Sequence, residues 1–304
     1  HHWSDRRIVT ELLKGSKDVS VIVLAAGKGT RMKHPMPKVL REICGRPMVS
    51  YTLENLRLIG LGDIVVVVNY GKNEVVRRIA GAVKFAVQSA ANRGTADAAL
   101  AGFPLTSKDS KTLVIINGDD SAFYKPETIR KVIESHRKNE PIITFVSLIK
   151  EDPVGLGRVV RDENGNLKGI VEEKDASSSE QKINEVNSGL YLFDRKWFAK
   201  NIGRVKKGPQ GEYYLVDLIK MAIDSGQKVN AYTLPNDSEW QGINTPEQLS
   251  EAQVKMEKKL EVMIIGAGNR GMYTYNELAK NSEIGLKVVA VVEPDDEKRE
   301  KMRI

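Results

Sequence analysis

The chain has 304 residues, of which 41% are hydrophobic and 29% charged, an ordinary folded-protein composition with room for one large core or two smaller ones. A formal charge of +7 suits polyphosphate ligands, but the basic residues are scattered and not interleaved with aromatics, so nucleic acid is not an expected partner. No apolar run approaches the roughly 18 residues that cross a bilayer, and the lone Cys44 excludes an internal disulfide or a multi-cysteine metal site and fits a reducing, cytoplasmic setting.

Residues 1–18 open on His1-His2-Trp3-Ser4, polar rather than signal-like, and read as a leader or tag-derived segment with a short amphipathic helix around Ile8–Leu13. From Val19 strands and helices alternate. The β-branched run Val21–Leu24 ends in Ala25-Ala26-Gly27-Lys28-Gly29-Thr30-Arg31-Met32, followed by Pro37-Lys38. Glycines let a backbone pass close to an anion with its N–H groups turned inward, and Lys28, Arg31 and Lys38 add charge along the same loop. This reads as a triphosphate cradle at the end of a first strand.

Asp63–Val68 and Thr112–Ile116 are continuous apolar runs, expected of strands buried on both faces, with helices at Met48–Ile59 and Glu74–Ile79 between. The alternation predicts an α/β fold with a doubly wound, mostly parallel sheet, whose ligands sit at the carboxyl ends of the strands. Asn117-Gly118-Asp119-Asp120 closes the second run. A carboxylate there suits Mg²⁺ shared with substrate phosphates; the alternative for Asp119 is a cap for the helix at Pro126.

Farther on, Gly157–Glu172 reads as two strands around an Asn164-Gly165 turn, a β-rich insertion expected to lie over the ligand edge. Helices are predicted at Tyr214–Asp224 and Glu247–Lys258, with a strand around Val229–Tyr232 between them. Taken alone, Gln88, Gly94 and Thr95 are loop residues able to read a base edge. Glu172, Lys174 and Asn187 are either sugar ligands or solvated strand residues, and Asn244 reads as a helix cap before Pro246.

In this order the motifs resemble those of the sugar-1-phosphate nucleotidyltransferases, in particular the uridylyltransferase domains of bifunctional N-acetylglucosamine-1-phosphate enzymes. The matching segments are LAAGKGTRM (Leu24–Met32), PKVL (Pro37–Leu40), Gly94-Thr95, Gly118-Asp119, GLGR (Gly155–Arg158), EVNSGLYLFD (Glu185–Asp194), GEYYLVD (Gly211–Asp217) and GINT (Gly242–Thr245). The resemblance implies backbone contacts to nucleotide from Leu24, Ala25, Gly27 and Gly29, and phosphate neutralisation by Arg31 and Lys38. It gives base reading to Gln88, Gly94 and Thr95, Mg²⁺ to Asp119 and Asn244, and the sugar to Gly157, Glu172 and Asn187. The implied substrates are a nucleoside triphosphate and a sugar-1-phosphate, first UTP with N-acetylglucosamine-1-phosphate. Leu156 and Val216 stand where that pattern usually has Tyr and Thr, which leaves glucose-1-phosphate or another hexose-1-phosphate, with UTP or dTTP, as the second expectation.

Domain boundaries are predicted at 19–253 for this unit, 254–260 for a linker and 261–304 for a second piece. There Leu260–Ile265, Gly266, Gly268 and Gly271, then a strand at Lys287–Val292 closed by Glu293, follow the dinucleotide-binding order. The piece resembles the opening of a glucose-fructose-oxidoreductase-type NAD(P) domain, as in a fusion protein cut short. One β-α-β unit leaves its sheet uncovered, so NAD is expected only with an intact second domain. An oxidoreductase and a non-catalytic binding module are the competing function classes. An oligomer is compatible with all three.

Overall fold

A computed structural model describes residues 17–79, 81–89, 93–257, 260–265 and 286–292. The chain divides into two compact units, one of residues 1–42 and 46–242, the other of residues 43–45 and 243–304.

The first unit is built on a nine-stranded sheet. Its elements are β1 (Val19–Ala25), α1 (Met48–Leu58), β2 (Ile64–Val68), α2 (Lys72–Arg78), β3 (Lys84–Val87), α3 (Thr95–Gly102), β4 (Thr112–Asn117), α4 (Pro126–Asn139), β5 (Ile143–Ile149), β6 (Arg158–Arg161), β7 (Leu167–Val171), β8 (Glu185–Asp194), α5 (Arg195–Asn201), α6 (Asp217–Asp224) and β9 (Val229–Thr233). The strand order is β9-β5-β8-β4-β1-β2-β3, with β6 paired to β8 and β7 paired to β6. β1 lies parallel between β2 and β4, and β3 extends that parallel half at its edge. β8 is the exception at the centre, antiparallel to β4 on one side and β5 on the other.

Burial explains why the apolar runs are continuous. Along β1, Val19, Val21, Val23 and Ala25 pack with Val49 and Leu53 of α1 and Ile129 and Val132 of α4. The intervening Ile22 and Leu24 pack with Ala96 and Ala99 of α3, Phe198 of α5 and Ile219 of α6. Each strand face therefore feeds a separate core, and period-two alternation vanishes from the sequence.

The hairpin is present, but its turn differs from the predicted two-residue form. Arg161 pairs with Leu167, so five residues make the loop. The Asp162 carboxylate organises it, accepting from the backbone N–H of Asn164 at 3.0 Å and of Asn166 at 2.8 Å, an Asx-type turn. Gly165, at φ +81°, supplies the left-handed residue. The helix predicted from Tyr214 begins at Asp217.

In the second unit, α7 (Pro246–Glu257) carries its helix through residues 254–257, where the linker was expected to start. β10 (Leu260–Ile265) and β11 (Leu286–Val292) pair in parallel, as the sequence predicts. Gly266, Gly268, Gly271 and Glu293 lie outside the described residues, as does the predicted helix around Ile8–Leu13. Among the described residues, no helix is long and apolar enough to cross a membrane.

Candidate active site

The glycine loop leaves the carboxyl end of β1 and is braced from beneath. Gly29 has φ +66°, and a Cβ there would lie 2.6 Å from Lys38 Cβ, so the turn closes directly onto the Lys38 stem. Gly71, at φ +63°, would bring a Cβ to 2.3 Å from Pro37 Cγ. The Tyr70 hydroxyl donates to the Pro35 carbonyl at 2.9 Å, and Lys28 Nζ lies 5.4 Å from the Tyr70 ring centroid. Gly27, Lys28 and Arg31 are exposed, with nothing near the position of a Gly27 Cβ, so this part of the loop opens to solvent. Leu24 and Ala25 are buried, and the Leu24 carbonyl accepts from Gly118 N–H at 2.9 Å.

That last bond joins the loop to the end of β4, the neighbouring parallel strand. There the buried Lys38 ammonium lies 2.6 Å from Asp119 Oδ2. Two motifs far apart in sequence thus meet at adjacent carboxyl strand ends, as the ligand-edge rule requires. Asp119 does not cap the helix at Pro126, whose N-cap is Lys125. Next to it, Asn117 Nδ2 donates to Asp120 Oδ2 at 3.1 Å, while Asp120 Oδ1 is buried without a hydrogen-bond partner. Burial, reinforced by the Asp119 charge, holds the Asp120 carboxyl well above the usual carboxylate range. The sequence places Asp120 beside Asp119 without assigning it a role. The unpartnered Asp120 Oδ1 and the adjacent Asp119 carboxylate are hard oxygen donors of the kind a divalent cation takes.

On the β2–β3 side, Gln88 is buried, and its amide N–H₂ donates to the Gly94 carbonyl at 3.2 Å and to Asp97 Oδ2 at 2.9 Å. Gly94 has φ +93°, and a Cβ would strike the Tyr213 carbonyl oxygen at 2.3 Å. Thr95 Oγ1 accepts from Leu215 N–H at 2.9 Å, and Ala96 N–H donates to the Tyr213 carbonyl at 2.9 Å. Of the three residues expected as base readers, Thr95 ties the start of α3 to the Tyr213–Leu215 segment through its side chain and Gly94 packs on the Tyr213 backbone, while Gln88 braces the start of α3 through Gly94 and Asp97.

The insertion supplies the third wall. Gly157 is buried against Ile170 and Glu172; a Cβ there would lie 3.7 Å from both Glu172 carboxylate oxygens. Burial pushes the Glu172 carboxyl up to about 7, helped by Asp175, Asp217 and Glu212 and opposed by Lys174. Asn187 N–H donates to the Gly157 carbonyl at 2.9 Å, and its side-chain amide donates to the Tyr191 hydroxyl. Gly157, Glu172 and Asn187 therefore form one group. Gly189, at φ +78°, abuts Asn117 and carries the β8 backbone past the end of β4.

A family profile described as nucleotidyl transferase matches residues 20–259. The chain belongs to this family. The nucleotidyl transferase match spans the glycine loop, the Asp119 strand and the insertion, and it bears out both the α/β fold and the resemblance read from the motifs. Curated relatives include the bifunctional protein GlmU of Pelotomaculum thermopropionicum, 38% identical over 80% of this chain and 53% of the relative. GlmU of Bacillus subtilis is 36% identical over 79% of this chain and 52% of the relative. The chain spans about half the length of the curated relatives it matches. Among solved structures, one from Bacillus anthracis, assigned as a glucose-1-phosphate thymidylyltransferase and in complex with a sucrose, superposes with a TM-score of 0.66 at 21% identity, covering 77% of this chain and 94% of that one.

Asn244 belongs to the second unit. Its backbone N–H donates to Gln248 Oε1 at 2.7 Å, while Thr245 Oγ1 accepts from Gln248 N–H at 3.3 Å. Thr245, and not Asn244, caps α7 with its side chain.

Proposed function

We propose that this nucleotidyltransferase joins a sugar-1-phosphate to the nucleotidyl group of a nucleoside triphosphate and releases pyrophosphate. UTP and N-acetylglucosamine-1-phosphate are the first substrate pair. The reading rests on one observation, the contact between Lys38 and Asp119 at the carboxyl ends of β1 and β4. It sets an anion-binding loop beside a carboxylate suited to a divalent cation.

In the proposed reaction a sugar phosphate oxygen attacks the α-phosphorus in line. A new P–O bond forms there, the bond from the α-phosphorus to the bridging oxygen breaks, and its electron pair leaves with pyrophosphate. The attacking oxygen is already anionic, so no protein nucleophile or base is needed. The chain's task is to orient two polyanions and absorb their charge. Backbone N–H groups of the Gly27–Thr30 loop and the Arg31 guanidinium hold the triphosphate, and the Lys38 ammonium balances charge as it moves to the leaving group. Asp119 would hold Mg²⁺, which supplies further charge neutralisation when bound. Glu172, Asn187 and the Gly157 backbone take the sugar.

Buried Val216 and partly buried Leu156 favour a second reading, because each removes a hydroxyl from the sugar side. That reading is glucose-1-phosphate or another hexose-1-phosphate with UTP or dTTP; the Bacillus anthracis protein is assigned glucose-1-phosphate and thymidylyl transfer. Pyrophosphate release across a matrix of sugar-1-phosphates and nucleoside triphosphates, with and without Mg²⁺, tests both. Turnover with one pair fixes the substrates. No turnover with any pair overturns the proposal and favours a binding module.

A further inference from the structure

Arg158 is the one arginine among the largest fully buried side chains, 1% exposed. It has no path to the phosphates through solvent, and its guanidinium is spent inside the insertion. Nη1 donates to the Leu156 carbonyl and lies 2.7 Å from Glu173 Oε2. Nε and Nη2 reach the Gln181 carbonyl at 3.3 and 3.1 Å. The three segments it ties together are the loop before β6, the residue just past β7 and the turn before β8.

Two of those segments carry a residue of the sugar-side group, and the third leads into the strand that carries Asn187. Gly157 sits between Leu156 and Arg158, Glu172 adjoins Glu173, and Asn187 follows Gln181 on the strand that returns to the sheet. The Asn187 N–H bond to the Gly157 carbonyl, at 2.9 Å, closes the triangle.

We infer that Arg158, with Glu173 as its counter-ion, is the positioning residue of the sugar site. One rigid planar fork fixes the mutual geometry of Gly157, Glu172 and Asn187 without touching the substrate. Arginine suits this because its donors are planar and diverge, and it stays charged when buried; lysine offers a single point of attachment. The glycine loop, Lys38 and Asp119 are braced by Gly29, Pro35–Pro37 and Gly118; of the nucleotide side, Arg31 meets the segment the fork holds, its Nη1 lying 3.6 Å from where a Gly155 Cβ would stand. The inference rests on the sugar-1-phosphate reading of the Gly157, Glu172 and Asn187 group.

The test is steady-state kinetics of Arg158→Lys and Glu173→Gln in the full chain, with binding of the triphosphate measured separately by calorimetry. For both variants KM for the sugar-1-phosphate should rise about tenfold or more, while triphosphate affinity stays within about twofold. The double variant should cost little more than Arg158→Lys alone, because the two residues act as a unit. Unchanged sugar KM in a variant that binds triphosphate normally overturns the inference. Equal losses of sugar and triphosphate binding overturn it too, since they mark a general folding defect. If the unsubstituted protein turns over no sugar-1-phosphate at all, the functional reading fails instead, and the two failures are distinct.

Discussion

Removing the Lys38 ammonium has two consequences of unequal size. Asp119 loses its partner, but its side chain is 27% exposed and water replaces much of the interaction. In the proposed reaction, the moving phosphates lose a positioned charge that water does not supply preorganised. Lys38→Met should therefore lower kcat about a hundredfold or more while the melting temperature changes little, read by kinetics and thermal melts on the same preparation. Gly29→Ala perturbs the same contact from the other side, because its Cβ would fall on the Lys38 stem. Glu172 gives a pH signature. Its carboxyl is held near 7 when folded against about 4.5 in the unfolded chain. The neutral form is favoured by folding, so this stability is fully present below pH 4.5 and is lost as pH rises through 7. In melts from pH 5 to 8, Glu172→Gln should lose the part of the decline that the unsubstituted protein shows. Identical profiles would refute the assignment.

Elements carry their own tests. Gly94 begins α3 at a backbone angle that L residues avoid, and it lies against the Tyr213 backbone. Gly94→Ala should separate α3 from the Tyr213–Leu215 segment, lowering stability by about 2 kcal/mol or more in denaturant unfolding. In α4, buried His136 shares a 2.9 Å hydrogen bond between Nδ1 and Thr144 Oγ1 of β5, and burial lowers its pKa to about 4. The unfolded chain takes up the proton first, so stability present above about 6.5 is lost as pH falls toward 4. Substituting His136 with Gln should flatten that acid limb.

The same elements show what the sequence disclosed. β1, β2 and β4 were legible because two-sided burial writes unbroken β-branched runs, and the glycine loop because its cations follow one strand end. β3 was not, since in Lys84-Phe85-Ala86-Val87 only Ala86 is buried at an edge. β5 carries a usable apolar run, Ile143–Ile149, that passed without notice between the helix at Pro126 and the hairpin. The clasp formed by Gly94 and Thr95 was invisible because its partners lie at Tyr213 and Leu215, more than a hundred residues away. Asp119 was found from its place after an apolar strand. The role of Asp120 needed the surrounding burial, which no local pattern encodes.

For the whole molecule, the sheet sets parallel strands that end at the glycine loop beside one reversed strand, β8, from which the insertion hairpin hangs. The second unit contributes the parallel pair β10–β11 among its described residues. One such pair cannot enclose a dinucleotide, and titration of this chain with NAD should give no saturable signal. A stoichiometric isotherm would contradict this and call for a complete cofactor site.

β8 runs against its neighbours, so its beginning, not its end, reaches the edge where the other strands finish. Between Asn187 and Tyr191 its pairing with β5 slips; Glu185, Val186 and Asn187 stay paired with Ile149, Leu148 and Ser147 of β5, while the pairing with β4 covers only Leu190–Asp194. On the proposed reading, specificity and chemistry then lie on separate stretches of polypeptide, because residues 185–189 share no ladder with β4. Recoding residues 185–189 together with the hairpin should retarget the enzyme among hexoses while its reaction with triphosphate continues unaltered, a modularity created by the reversed direction of one strand.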